Sequence, residues 1–200
     1  MSTNLSSSLS LQQRQSNKKH FAGTLARTNP NIPDAFYHYL ELSDFYKAPA
    51  STQYHQDYEG GLVEHSLMVY EKLMQLNYQY LLGYPDSTIS KVALLHDICK
   101  VDFYKRSRRN KRLEDGTWVR MDSWEVDDHL PLGHGEKSVI ILLQHKVPLD
   151  EEEMLAIRWH MGGFDASARD YAASRALSNA MGQSKLVTAL HLADMMAVWL

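Results

Sequence analysis

The sequence predicts an all-α domain interrupted by one inserted β-hairpin at about residues 103–127. Three observations carry that expectation. Apolar residues recur at helical spacing in successive segments that are bounded by capping residues, prolines and glycines. Only the segment around Asp115-Gly116 reads as a turn between strand-forming residues. With 44% hydrophobic and 22% charged residues, the 200-residue chain is long enough to bury the core of one domain.

In chain order, residues 1–28 are rich in Ser, Asn, Gln and Lys without sustained periodicity and read as a flexible polar leader, so the domain is expected over 29–200. Pro30 and Pro33 punctuate, and Asp34 caps a short aromatic-rich helix over 35–46. A loop over 47–61, ending in Gly60-Gly61, leads into a helix over 62–80. That helix carries a wide apolar stripe, with Leu62, Val69, Leu73 and Leu76 on one side and Val63, Leu67, Tyr70 and Met74 on the other. His65 stands four residues before Val69 and points toward packed side chains. The next helix runs over 87–100, where Ile89, Val92 and His96 recur at i, i+3 and i+7. An imidazole and the neighbouring carboxylate of Asp97 are thereby set among aliphatic side chains.

The hairpin follows. A two-residue Asp115-Gly116 turn sets Arg109 opposite Asp122 and Arg106 opposite Glu125, and, less favourably, Lys111 opposite Arg120. The basic run 105–112 reads better as a solvated strand matched by its own partner than as a nucleic-acid surface. Beyond it, Gly133-His134-Gly135 marks a helix start before the apolar run Val139 to Leu143. Asp150 caps a helix over 151–160 whose first turn holds Glu151, Glu152 and Glu153, and Gly162-Gly163 stops it just after His160. Two more helices, over 168–181 and 185–200, close the chain. In the last, Asp194 is the only charged side chain from Leu186 to Leu200, with Val187, Leu190 and Val198 on its face. A lone carboxylate there must be neutralised or paired, and His191 is one candidate.

Composition excludes several classes of function. A net charge of −3 provides no global basic field toward nucleic acid or an anionic membrane. The single cysteine, Cys99, rules out an internal disulfide framework and reads as a small core residue in a reducing compartment. With no long apolar run and no secretion signal, a cytoplasmic protein without membrane contact is expected. Oligomeric state is left open by the hydrophobic C-terminal end.

Taken singly, each polar residue on an apolar face has an ordinary structural explanation as a satisfied core side chain. Six such residues together, His65, His96, Asp97, His134, His160 and Asp194, make the imidazole and carboxylate donor set of borderline divalent ions. Thiolate is missing from it, which argues against a closed structural zinc site.

The ordered motifs Gly60-Gly61-Leu62-Val63-Glu64-His65, Leu95-His96-Asp97-Ile98-Cys99-Lys100, Gly133-His134-Gly135, His160-Met161-Gly162-Gly163 and Ala193-Asp194 resemble the HD superfamily of metal-dependent phosphohydrolases. The Gly-Gly-Leu-x-Glu-His form, with His55 upstream, is most similar to the HD domains of bacterial 3′-5′ exoribonucleases. The chain departs from that pattern in Cys99, where a glycine often stands, and in a leader too short and polar to form a nucleic-acid-binding domain. It departs from the cyclic-dinucleotide phosphodiesterases in Asp165 after Gly163-Phe164.

The resemblance implies a helical bundle whose metal ligands are His65, His96, Asp97 and Asp194, with His134 and His160 completing a second site and Asp97 bridging. The cofactor implied is a pair of divalent ions (Mn, Fe, Mg or Zn), and the reaction is attack of metal-activated water on a phosphate ester. The substrate class is a nucleotide or other phosphorylated small molecule, or a short oligonucleotide. Asp97 and Lys100 are the expected catalytic residues, and Lys100, His55 and Arg158 the substrate contacts. Two rival functions share the site: a metal-containing module that senses a nucleotide without turnover, and an HD-type di-iron oxygenase.

Overall fold

The computed structural model describes residues 9–53 and 55–200 and bears out the helical class. In order come α1 (Leu11–Thr28), α2 (Asp34–Leu42), α3 (Gly61–Gln79), α4 (Asp86–Leu95), β1 (Tyr104–Arg112), β2 (Trp118–Val126), α5 (His134–Gln144), α6 (Glu151–Trp159), α7 (Tyr171–Gln183) and α8 (Lys185–Trp199). α3 lies against both α4 and α8, and α6 packs on α5 and α8. The fully buried side chains Leu62, Val69 and Leu73 of α3, Val92 and Leu95 of α4 and Leu186 and Leu190 of α8 form the centre of the core. Each stabilises the fold by about 1.5–3 kcal/mol.

Residues 11–28 of the expected leader are instead a core helix; residues 1–8 lie outside the described ones. Ser10 and Gln13 form a reciprocal capping box, at 3.2 Å from Gln13 N to Ser10 Oγ and 2.9 Å from Ser10 N to Gln13 Oε1. At its far end Phe21 and Leu25, four residues apart on one face, are fully buried. The Phe21 ring meets Phe45 at 5.0 Å between centroids, and Thr28 Oγ1 lies 2.7 Å from Ser90 Oγ on α4. A polar composition hid the helix because only three of its positions are buried.

The strands form one antiparallel hairpin whose contacts are overwhelmingly between themselves. Its register is one residue from that expected. Arg108 faces Asp122, Lys105 faces Glu125, Arg109 faces Met121 and Lys111 faces Val119. The cause is the turn, which has three residues rather than two. Leu113 N donates to Thr117 O (2.8 Å), Gly116 N donates to Leu113 O (2.9 Å), and Gly116 takes φ +86°, the left-handed position that such a loop assigns to glycine. Opposite charges are still matched, through different residues: Arg108 to Asp122 at 3.1 Å and Lys105 to Glu125 at 3.2 Å.

Among the described residues no helix is long and apolar enough to cross a membrane.

Candidate metal centre

The Gly60-Gly61 pair sets where α3 begins. Gly60 is left-handed at φ +84°, and a Cβ on Gly61 would come within 2.1 Å of Gln56 O, so the loop can press on the helix start only with glycine there. His65 then lies in the second turn of α3, 1% exposed.

The helix expected over 87–100 ends instead at Leu95. His96 is its last, half-in residue, Asp97 leaves the helical region at φ −106°, ψ 21°, and Ile98–Lys100 forms a 3-10 turn. The break has a local cause and a consequence. The His96 imidazole turns back so that Nδ1 lies 2.8 Å from Ala93 O. In the tighter turn the side chains of Asp97 and Lys100 eclipse, and Lys100 Nζ reaches Asp97 Oδ2 at 2.7 Å.

α6 ends in the same way. His160 follows Trp159 as the half-in residue, and its Nδ1 lies 2.7 Å from Ile157 O. A carbonyl only accepts, so in both histidines Nδ1 carries the proton and Nε2 presents a lone pair. His191 on α8 steadies this end of α6 by donating from Nδ1 to His160 O at 2.7 Å. It does not pair with Asp194.

These side chains converge. Asp97 Oδ2 lies 3.3 Å from His96 Nε2 and 3.7 Å from His65 Nε2, while Asp97 Oδ1 faces His160 Nε2 at 3.5 Å. Asp194 Oδ1 is 3.0 Å from His65 Nε2 and 3.9 Å from His96 Nε2. Two overlapping groups able to hold a cation result: His65, His96 and Asp97, and His96, His160 and Asp194.

Burial is the largest influence on Asp97 and acts to raise its pKa, but the Lys100 ammonium and then His96 outweigh it and hold the carboxyl well below the usual range. At Asp194 burial is likewise outweighed, by the hydrogen bond and charge of His65, and the shift is downward. Burial drives His65 down, and pushes His55 down to about 4. At His96 burial also acts downward but the Asp97 carboxylate prevails, so its shift is upward.

Buried in this cluster, His96 Nε2, His160 Nε2 and Asp97 Oδ1 have no hydrogen-bond partner. Such an orphaned group costs about 1–3 kcal/mol. Divalent cations held in the two groups would take these atoms as ligands, and nitrogen with carboxylate oxygen is a set that Mn, Fe or Zn accepts. The residues fit the metal.

His65, Asp97 and Asp194 of the cluster line a cavity of about 800 Å³ whose walls include His55, Lys100, Phe103, Tyr104, His134 and Trp199. Residues 62–198 match the HD domain family. The chain belongs to that family. A curated relative is the dihydroneopterin 2′,3′-cyclic phosphate phosphodiesterase of Methanocaldococcus jannaschii, 37% identical over 94 residues, which are 45% of this chain and 35% of that protein. The match thus spans about a third of the relative's length. No solved structure matches.

Of the residues expected in the HD site, His65, His96, Asp97, His160 and Asp194 meet, and Lys100 joins them through Asp97. His134, the first residue of α5, lines the same cavity but stays outside both groups, with Nδ1 3.4 Å from Cys99 Sγ. Burial pushes the Cys99 thiol up to about 12, which keeps it protonated and unreactive at neutral pH. The His55 ring sits 5.1 Å from that of His65. Arg158 is not where a substrate contact is expected. Its guanidinium binds Glu136 and, at 2.6 Å, Asp165, lies over Trp159, and lines a separate groove between α5 and α6. Arg158 stands two residues before His160, about 200° round the helix, so it faces away from the cluster. The aromatic walls Phe103, Tyr104 and Trp199 had no sequence signal beyond their place beside the hairpin and the chain end.

Proposed function

We propose that this HD domain is a metal-dependent phosphohydrolase that hydrolyses a phosphate ester, with a nucleotide or short oligonucleotide as the substrate class. One observation carries the reading: His96 Nε2, His160 Nε2 and Asp97 Oδ1 are buried without hydrogen-bond partners inside two overlapping His and Asp groups, and His65, Asp97 and Asp194 of those groups line the cavity. His65, His96, Asp97, His160 and Asp194 are the proposed ligands. Two ligand groups with His96 in common would suit a pair of ions, and His134 lines the same cavity as a candidate further ligand. Ions held there would lower the pKa of water and offset charge developing on a phosphate.

The chain's own residues do the rest. Lys100, held at Asp97, brings a positive charge to the cavity wall beside the phosphate. His55 is uncharged at neutral pH and can exchange a proton or hydrogen bond with the ester oxygen. Phe103, Tyr104 and Trp199 exclude water and offer flat faces to an aromatic ring. The relative, named for a 2′,3′-cyclic phosphate, supports phosphodiester chemistry on a small molecule. Nothing in the comparisons supports the narrower exoribonuclease likeness.

The test is turnover of bis(p-nitrophenyl) phosphate and of 2′,3′-cyclic nucleotides with Mn, Fe, Mg or Zn, in wild type and Asp97→Asn. Metal-dependent hydrolysis that falls to background in the variant, with helical circular dichroism kept, is the expected result. Equal turnover in both proteins, or none with any metal, overturns the reading.

A further inference from the structure

The hairpin concentrates the positive charge of the chain. Residues 104–126 hold seven of the 21 Lys and Arg and four of the 24 Asp and Glu, which makes the hairpin +3 on a chain of net −3. The register decides how that charge is displayed. Residues directly opposite share a face, so Tyr104, Arg106, Arg108, Asn110 and Arg112 stand on one side with Val126, Trp124, Asp122, Arg120 and Trp118. This face carries four arginines, one aspartate and two tryptophans. Glu59 meets Arg106 at 3.1 Å and Asp122 meets Arg108, but Arg112 and Arg120 have no ion pair among the described residues. They flank Trp118, whose surface is 66% exposed. Nearer the body Arg106 lies over the Trp124 ring at 4.2 Å.

The same face runs into the cavity, since its innermost pair, Tyr104 and Val126, lines the wall above the metal cluster. From there to Arg112 it extends roughly 27 Å at the usual strand rise. Charges on an exposed hairpin also discourage edge pairing, yet that purpose leaves no reason for the exposed Trp118 on the arginine face. Guanidinium groups alternating with indole rings recognise a polyanion that has flat faces of its own.

We propose that this face holds a single-stranded nucleic acid, a base stacked on the exposed Trp118 and phosphates on Arg112 and Arg120, with one end of the strand entering the cavity. The inference rests on the reading of the cavity as a phosphoester site. A duplex keeps its bases stacked on each other and gives the indoles nothing to hold, and an acidic peptide offers charge without rings.

The test is fluorescence anisotropy with a labelled single-stranded RNA of about 12 nucleotides, long enough for the face and the cavity. The same-length duplex and a polyglutamate of matched charge are the comparisons. Wild type is expected to prefer the single strand. The variant Trp118→Ala/Arg112→Ala/Arg120→Ala, altered only at exposed positions, is expected to bind it at least about tenfold more weakly. Its slope of log affinity against log salt should be shallower by about 1.4, two phosphate contacts fewer. No wild-type binding at low salt, equal binding of polyglutamate or duplex, or an unchanged triple variant overturns the proposal. Hydrolysis of bis(p-nitrophenyl) phosphate by wild type is read alongside: its presence without strand binding rejects the hairpin role alone, and its absence rejects the reading of the cavity.

Discussion

At the centre of the body, His65 and Asp194 meet at 3.0 Å with 1% and 16% of their side chains exposed; on the hairpin, Arg108 and Asp122 meet at 3.1 Å with 64% and 75% exposed. Equal distances therefore carry unequal energies. His65, kept neutral by burial, gives the Asp194 carboxylate a hydrogen bond in a low-dielectric interior, where it is stronger than in water, whereas solvent screens the charges of Arg108 and Asp122. The buried groups must be satisfied by one another or by a cation, whereas water satisfies the hairpin charges and leaves them free to bind something else. Burial makes the first region a site for an ion, and exposure makes the second a surface for a chain.

The largest effect expected from breaking this contrast is at Asp97. Asp97→Asn removes the carboxylate shared by three histidines and leaves the buried Lys100 ammonium without a counter-charge, which costs about 3–5 kcal/mol. Thermal denaturation followed by circular dichroism should show a midpoint lower by roughly 10 °C. Adding Lys100→Met should restore most of that stability and none of the turnover, separating the structural from the chemical role of the carboxylate.

Phe21→Ala comes next, at about 3–5 kcal/mol, because a fully buried ring between Phe45 and Tyr46 is emptied. Urea unfolding measures it, and a cost near zero would return α1 to the status of a loose leader.

Acid should act on the body more than on the hairpin. Burial lowers the pKa of His55 to about 4, so below the ordinary histidine value near 6.5 the unfolded chain takes up a proton that the folded chain excludes. Stability from this residue is therefore present above pH 6.5 and lost as pH falls toward 4. Urea midpoints at pH 7 and pH 5 should fall less steeply in His55→Gln than in wild type.

The smallest effect is on the hairpin. Arg108→Ala should change global stability by no more than about 0.5 kcal/mol, since an exposed pair is screened. A larger cost in urea would mean the arm is part of the cooperative core.

The two regions also differ in how much the sequence alone revealed. α3, α6 and α8 were legible because their apolar stripes and caps are local, and with them the positions of His65, His160 and Asp194. α1 was not, since Phe21 and Leu25 are too few among polar neighbours to make a stripe. That His96 and Asp97 sit in a helix break rather than mid-helix follows from the turn of the imidazole to Ala93 O, a side-chain choice that periodicity does not encode. The hairpin was legible as a hairpin from Asp115-Gly116, but its register hung on whether the loop had two residues or three. That single residue decides which arginines share a face with the tryptophans. Arg158 and His134 show the same limit within the site: both lie near the expected place in the chain, and tertiary packing alone decides which side chain enters the cavity.

The central claim, that the buried histidines and aspartates hold metal, is met most directly by elemental analysis of protein purified without chelators, wild type beside Asp97→Asn. The account predicts about two divalent ions per chain in wild type, lost or reduced in the variant. A wild type that stays empty after incubation with manganese, iron and zinc would contradict it, and would mean that these side chains pair only with each other.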